Sequence, residues 1–435
     1  TGAGGGPDTP ALHAASGMSG CAPLLDDPAL DFVITPADYH ARSVGWGFEA
    51  EGTADPLVLR GKTMLIEDDC RSWVCSERNT QGAWRDPAEM RAGLLRNVGL
   101  AATRGHLAYW MNVGDGYFAD PAIMAEIAAQ VPLRERIGTR PWHDTEHAIG
   151  LLLDDRSQED EDFTSGYQNL AVLRQRLDEL ARTGLPYRVH LLDDISRDDF
   201  PRYRCWLLPN CFRLDAVHIK LIQDKLCRDG SVVILGPGTG ISDGTRLSAE
   251  GISALTGHPF DLVDKSVARR VLVTPGTHPA LAHLGQSHIY GDSLCYGPLL
   301  TPRSGAAELG RLSAWWQGNG AGLSYHPRGR GAGSDHGPTD GAFVFSAAVP
   351  LPADVLRALA LHAGCVPWSD LGDVVGASAD LLCVHTVRPG PRTLRLPWRY
   401  TVRDARDGRM LGCDVDRLDL EFAAPDTRLL LLDEA

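Results

Sequence analysis

The sequence lacks the devices that would tie it to a nucleic acid, a membrane or a metal. Acidic residues outnumber basic ones 56 to 42, leaving a net charge of −14. A phosphate backbone attracts a basic face, so neither nucleic acid nor a membrane surface is an expected partner. No apolar run approaches the roughly 20 residues that a bilayer-spanning helix needs. The ten cysteines include no C-x-x-C pair, which removes the usual spacing of a structural zinc site. The fifteen histidines show no H-E-x-x-H or comparable pattern, so no catalytic metal is expected and no cofactor is implied. Internal repeats are missing. So is an initiating Met, because the chain opens Thr1-Gly2-Ala3-Gly4-Gly5-Gly6-Pro7. The expectation is a chain cut inside a longer protein. Its localisation stays open, with the cytoplasm as the default, because a missing N-terminus makes the lack of a signal peptide uninformative.

At 435 residues the chain has room for two to three domains, each with a core. The segment that carries most meaning is Gly61-Lys62-Thr63-Met64-Leu65-Ile66-Glu67-Asp68-Asp69-Cys70-Arg71. Residues 63–66 read as a buried strand, and the switch to three acids marks its carboxyl end. Three successive acids repel one another, so solvent or function must hold them. Taken alone, the segment also fits a solvated acidic loop or a helix N-terminus. Its flanks repeat the pattern. Residues 30–35 form an earlier strand, closed by Pro36-Ala37-Asp38-Tyr39. A helix is predicted over 87–103, where Met90, Leu94, Leu95 and Val98 recur at helical spacing. A strand over 106–112 ends in aromatic and amide groups, Trp110 and Asn112, and a last helix covers 121–131. Barrels of alternating strands and helices gather catalytic side chains at the carboxyl ends of their strands.

This order resembles the last third of a retaining glycoside hydrolase (β/α)8 barrel, and most of all the family-42 β-galactosidases. The resemblance implies that Glu67 is the catalytic nucleophile at the end of the seventh strand. It implies that Tyr39 hydrogen-bonds that carboxylate and that Trp110 floors the sugar site; Arg71 is a candidate for keeping the nucleophile ionised, and Arg71 and Asn112 are further candidate substrate-binding residues. For Arg71 a salt bridge with Asp68 or Asp69 is the plainer alternative; for Trp110 it is packing in the barrel core. A retaining enzyme also needs a second carboxyl, roughly 5–5.5 Å from the first, to protonate the leaving oxygen. The family carries it on the fourth strand, and this chain has no equivalent. Glu77 falls on the loop after Glu67, while Glu49 and Glu51 sit on a Gly-rich loop between two strands. A complete barrel takes about 250 residues, more than the stretch before the next domain allows.

That next domain is expected to begin at 147. A fully apolar strand over 148–153 precedes a helix over 167–183, with strands at 187–192, 205–208 and 231–235 and a helix at 216–228. Strands alternating with helices at this spacing define a doubly wound parallel sheet, flavodoxin-like in class. The order resembles the glutamine-amidotransferase-like trimerisation domain of family-42 enzymes. Cys211 sits in no Gly-x-Cys-x-Gly elbow, so a nucleophilic role is not expected. Gly236-Pro237-Gly238-Thr239-Gly240 lacks the dinucleotide-binding spacing and reads as a tight turn. Cys205, Cys227 and Cys383 read as small buried hydrophobes and Cys70 as a free thiol near the acids. Residues 241–342 look irregular, with a flexible loop at 318–341. A strand over 342–347 and a helix over 353–363 complete the domain. Short strands at 381–387, 393–396, 400–402, 418–422 and 427–432, with turns at Pro389-Gly390 and Asp407-Gly408, predict a small antiparallel β domain.

The expected architecture is thus a partial (β/α)8 barrel over 1–146, a doubly wound amidotransferase-like domain over 147–370, and a β-sandwich-like domain over 371–435. The expected activity is hydrolysis of a terminal β-linked sugar, most simply a β-galactoside, by a homo-oligomer for which the resemblance implies a trimer. The alternative is a non-catalytic carbohydrate-binding or scaffold subunit.

Overall fold

Strands β1 (Phe32–Pro36), β2 (Thr63–Asp68) and β3 (Leu107–Trp110) pair in parallel, in that order. The computed structural model describes residues 20–75, 83–112, 114, 116–138, 140, 142–162, 166–303, 305–314, 320–329 and 341–434. Glu77 and residues 318, 319 and 330–340 of the predicted loop lie outside them. In β2 every second residue is buried, namely Met64, Ile66 and Asp68, while Thr63, Leu65 and Glu67 face the half-open side. That side is apolar and wet: Phe32, Ile34 and Leu107 are 47, 50 and 56% exposed.

The buried side rests on helix α1 (Pro87–Ala102). Asp86 caps this helix, accepting from the backbone N–H of Ala88 and Glu89, and Pro87 fills the first helical position, where no N–H partner is needed. Helix α2 (Pro121–Gly138) runs a further two turns past the predicted end, straight through Pro132. A proline inside a helix costs about 3 kcal/mol; burial of Leu133 and Ile137 beyond it keeps the helix going.

The central sheet has nine strands. Five are parallel: β4 (Ile149–Leu153), β5 (Tyr187–Leu191), β6 (Cys205–Leu208), β7 (Val232–Leu235) and, far along the chain, β14 (Ala342–Ser346). They stand in the order β5-β4-β6-β7-β14, and all five are buried along their length. Four antiparallel strands extend the sheet beyond β14: β9 (Arg269–Val273), β10 (His288–Tyr290), β12 (Ala307–Ala314) and β13 (Gly320–Pro327). Two more, β8 (Phe260–Val263) and β11 (Leu299–Pro302), pair separately. The expectation of an irregular 241–342 is therefore corrected. These strands are short or only half-buried, and β13 carries two glycines, so their pattern resembles that of loops.

The last five strands are β15 (Val374–Ala377), β16 (Leu381–Thr386), β17 (Gly390–Asp404), β18 (Met410–Phe422) and β19 (Asp426–Glu434), and they form one antiparallel sheet. The two strands predicted within 393–402 are one. A register shift between Arg395 and Tyr400 absorbs Pro397 and carries β17 past it.

Helix α1 is shared. Its Leu95, Val98 and Ala101 join Met64 and Ile66 of β2 and also Cys383, Leu429 and Leu431 of the C-terminal sheet in one cluster. Gly99 makes the close approach possible, since a Cβ there would stand 2.6 Å from the Cys383 sulfur. A polar relay crosses the same seam. Gly45 N–H donates to His385 Nε2 at 2.7 Å, and His385 Nδ1 lies 2.8 Å from Thr427 Oγ1. The Thr427 hydroxyl in turn donates to the carbonyl of Ala92 in α1 at 2.7 Å. A neutral imidazole protonated at Nδ1 satisfies every member. Burial, with Arg96 nearby, holds His385 well below its usual pKa and so in that form.

The first three strands are also tied to the central sheet. Asp55 accepts from Arg104 Nε at 2.9 Å and from the backbone N–H of Val189 in β5 at 2.6 Å. Arg104 also reaches Glu49 at 2.6 Å, and Arg176 holds that glutamate's other oxygen at 2.8 Å. Burial pushes the Asp55 carboxyl up, but Arg104 and His106 outweigh it and hold it well below the usual range.

Candidate active site

The carboxyl ends of β1, β2 and β3 carry the acids. Register places Glu67 beside Pro36 on one side and Tyr109 on the other. The Tyr109 hydroxyl donates to Glu67 Oε1 at 2.7 Å. Its loss of solvent, together with the neighbouring carboxylate, pushes the phenol up to about 12, so it remains a donor at any ordinary pH. Among the described residues, no cation stands within salt-bridge distance of Glu67.

The next two acids are committed elsewhere. Asp68 points to the buried side, where its Oδ2 accepts from Asn97 of α1 at 2.9 Å. Asp69 is ion-paired with Arg42 at 2.5 Å and flanked by Arg71 at 3.8 Å. The Tyr39 hydroxyl donates to Asp69 Oδ2 at 3.3 Å, and the Arg42 guanidinium lies 3.6 Å from the centre of the Tyr39 ring. Tyr39 is thus on Asp69 rather than on Glu67, and the tyrosine on the glutamate is Tyr109. Arg71 meets Asp69, the plainer of its two readings.

Trp110 does not join Glu67. It is in register with Asp68, so it shares the helix-facing side, and the Arg134 guanidinium covers its ring at 3.8 Å. It packs beside Cys70, Trp84, Met90, Leu94 and Ile123. The reason is the twofold period of a strand: Tyr109 and Trp110 must point to opposite faces. Asn112 accepts from the backbone N–H of Tyr117 at 3.2 Å and shapes the turn after β3. Cys70 is a free, buried thiol, raised well above its usual pKa by burial and by Asp68. Glu49 is locked between two arginines. Among the described residues no group of three His, Cys, Asp or Glu could hold a metal ion, and no helix is long and apolar enough to cross a membrane.

Cys211 is buried, with its thiol 3.6 Å from the Leu152 carbonyl; burial and Asp154 hold its pKa well above the usual value. Gly236 to Gly240 form two successive turns, closed by Thr239 N–H on Gly236 O and Ile241 N–H on Gly238 O. A Cβ at Gly236 would stand 2.4 Å from the Pro209 carbonyl oxygen, which explains glycine there.

An α/β fold with mixed sheets and a small antiparallel sheet is shared with solved glycoside hydrolases. More narrowly, the chain has a family-42 β-galactosidase-like fold. The β-galactosidase of Bacillus circulans sp. alkalophilus superposes with a TM-score of 0.56 at 13% identity, over 81% of this chain and 53% of that one. A family-42 β-galactosidase from G. stearothermophilus gives 0.55 at 10% identity, over 94% and 60%. The cold-adapted enzyme of Rahnella sp. R3 gives 0.53 at 12%, over 86% and 65%. The chain therefore spans between about half and two-thirds of the length of these enzymes. No protein-family model matches it, and no curated protein matches its sequence.

Proposed function

We propose that the chain is the C-terminal portion of a retaining exo-glycosidase acting on β-galactosides, with Glu67 as its nucleophile. The observation that carries this reading is the Tyr109–Glu67 hydrogen bond at the open end of β2, where among the described residues no cation pairs with the carboxylate. A nucleophile must stay ionised to attack the anomeric carbon, and a neutral donor favours the charged form without tying up the whole carboxylate. The acid/base belongs to barrel strands outside this chain. Two features support that: the exposed apolar side of β1, β2 and β3, and a sheet that has three strands among the described residues. Residues 1–146 are then the last units of the barrel. Residues 147–370 are a flavodoxin-like assembly domain, a reading that the order β5-β4-β6-β7-β14 supports. Residues 371–435 close the chain.

The test uses the parent protein, including the coding region upstream, on an aryl β-galactoside. Glu67→Gln should abolish turnover, and the wild-type product should keep its anomeric configuration when followed by NMR. Inversion, or full activity in the variant, would overturn the assignment. The reading of this chain as a non-catalytic scaffold draws on the missing second carboxyl. It predicts that the parent protein, upstream region included, also fails to turn over aryl β-galactosides.

A further inference from the structure

A cavity of about 500 Å³ opens at the carboxyl ends of β4, β6 and β7, remote in the chain from Glu67. In the order β5-β4-β6-β7 the winding reverses between β4 and β6. Open α/β sheets bind small molecules in the crevice above such a reversal. The volume is that of a small-ligand site. Tyr167 and Phe212, with ring centres 5.5 Å apart, form an apolar wall.

Arg269 gives this cavity its chemistry. Its residue is 1% exposed, and it lines the cavity. Its guanidinium donates to the carbonyls of Ala347, Tyr296 and Pro298 at 3.2, 2.9 and 3.0 Å and lies 4.2 Å from the centre of the Tyr296 ring. None of these partners is charged. Among the described residues no carboxylate stands within 4.0 Å of it, and its Nε has no partner. A buried cation without an anion is costly, and carbonyl oxygens only partly compensate. Glu161 and Asp162 line the same cavity; Glu161 accepts from the Tyr167 N–H at 3.1 Å, and burial pushes its carboxyl up to about 7, so it carries part of a negative charge at neutral pH. A simple anion would meet repulsion from them, and a simple cation would meet Arg269.

We propose that this cavity binds a small carboxylic acid with hydrogen-bond donors on its neighbouring carbons. The carboxylate pairs with Arg269 and the donors face Glu161 and Asp162. Hydroxy acids and amino acids share this chemistry. Nothing in the argument depends on the glycosidase reading, and the two stand or fall separately.

Isothermal titration of the full chain with sodium gluconate, L-serine and neutral D-galactose tests it. Binding of gluconate, of serine or of both, with galactose at least tenfold weaker, is the expected result and tells the hydroxy acid from the amino acid. Arg269→Met should remove that binding. Because Arg269 also holds three carbonyls, Leu247→Trp serves as the second variant: Leu247 is half exposed at the cavity wall, so a larger ring there blocks entry without touching the core. It should weaken binding at least tenfold at unchanged melting temperature. Galactose binding as tightly as the acids, acid binding that survives Leu247→Trp, or no binding of either acid below about 10 mM would overturn the proposal.

Discussion

The Tyr109 hydroxyl stabilises a charged Glu67 and does little for a protonated one. A hydrogen bond to a charged group contributes about 1.5–3 kcal/mol. On the proposed reading, Tyr109→Phe in the parent protein is therefore expected to lower kcat/KM by roughly 10–100-fold, measured on an aryl β-galactoside. Tyr39→Phe should cost clearly less, because its hydroxyl serves Asp69. Equal losses in both variants would sink this division of labour. A second residue titrates where proteins are handled. Burial pushes the Asp154 carboxyl up to about 7, against the hydrogen bond from Arg156 N–H. The folded chain thus holds this proton more tightly than the unfolded chain, whose value is about 3.9. Its contribution to stability is present below about pH 4 and lost as pH rises through about 7, up to a ceiling of about 4 kcal/mol. Asp154→Asn should gain on wild type by a sizeable part of that between pH 4 and pH 8 in urea melts. A pH-independent difference would exclude Asp154 as the titrating group. Glu67 was legible in the sequence as an acid at a strand exit. Its partner was not, because only the register of β2 against β3 sets Tyr109 beside it.

Elements were legible where one period dominated. The buried parallel strands and α1 stand out as apolar runs and as helical spacing, and their bounds fall within a residue or two of expectation. The antiparallel strands between 260 and 327 were not, since edge and half-buried strands carry mixed faces with glycine at close contacts. Gly310 is such a site, where a Cβ would meet Val273 at 2.8 Å. One tight seam between elements is at Gly99. Gly99→Ala raises helix propensity by about 1 kcal/mol, yet its methyl must displace the Cys383 sulfur or strain β16. Overpacking of this kind costs about 1–3 kcal/mol, so the net expectation is a loss of stability in denaturant melts. A gain would mean that β16 yields more easily than its packing suggests.

At the scale of the whole molecule, the proposed assembly through 147–370 has a physical basis in the far edge of the central sheet. There, among the described residues, β10 leaves one edge unpaired, and Ile289 and Leu272 are exposed on neighbouring strands. Exposed apolar edges invite pairing with another chain. Light scattering on the parent protein well above micromolar concentration should give a closed oligomer, with a trimer expected; a strictly monomeric mass would leave the central sheet as a buttress. None of this long-range arrangement was readable from composition, which reports partners a chain avoids better than those it keeps.

Helix α1 depends on a strand made long after it. Thr427, which seals the relay onto Ala92, lies 335 residues downstream. At about 5–20 residues per second, a ribosome needs roughly 15–70 s to cover that distance. Through that interval the outer face of α1 stands bare, and its strands have no lid on that side. Slower translation between α1 and β19 lengthens the interval in which that face is exposed.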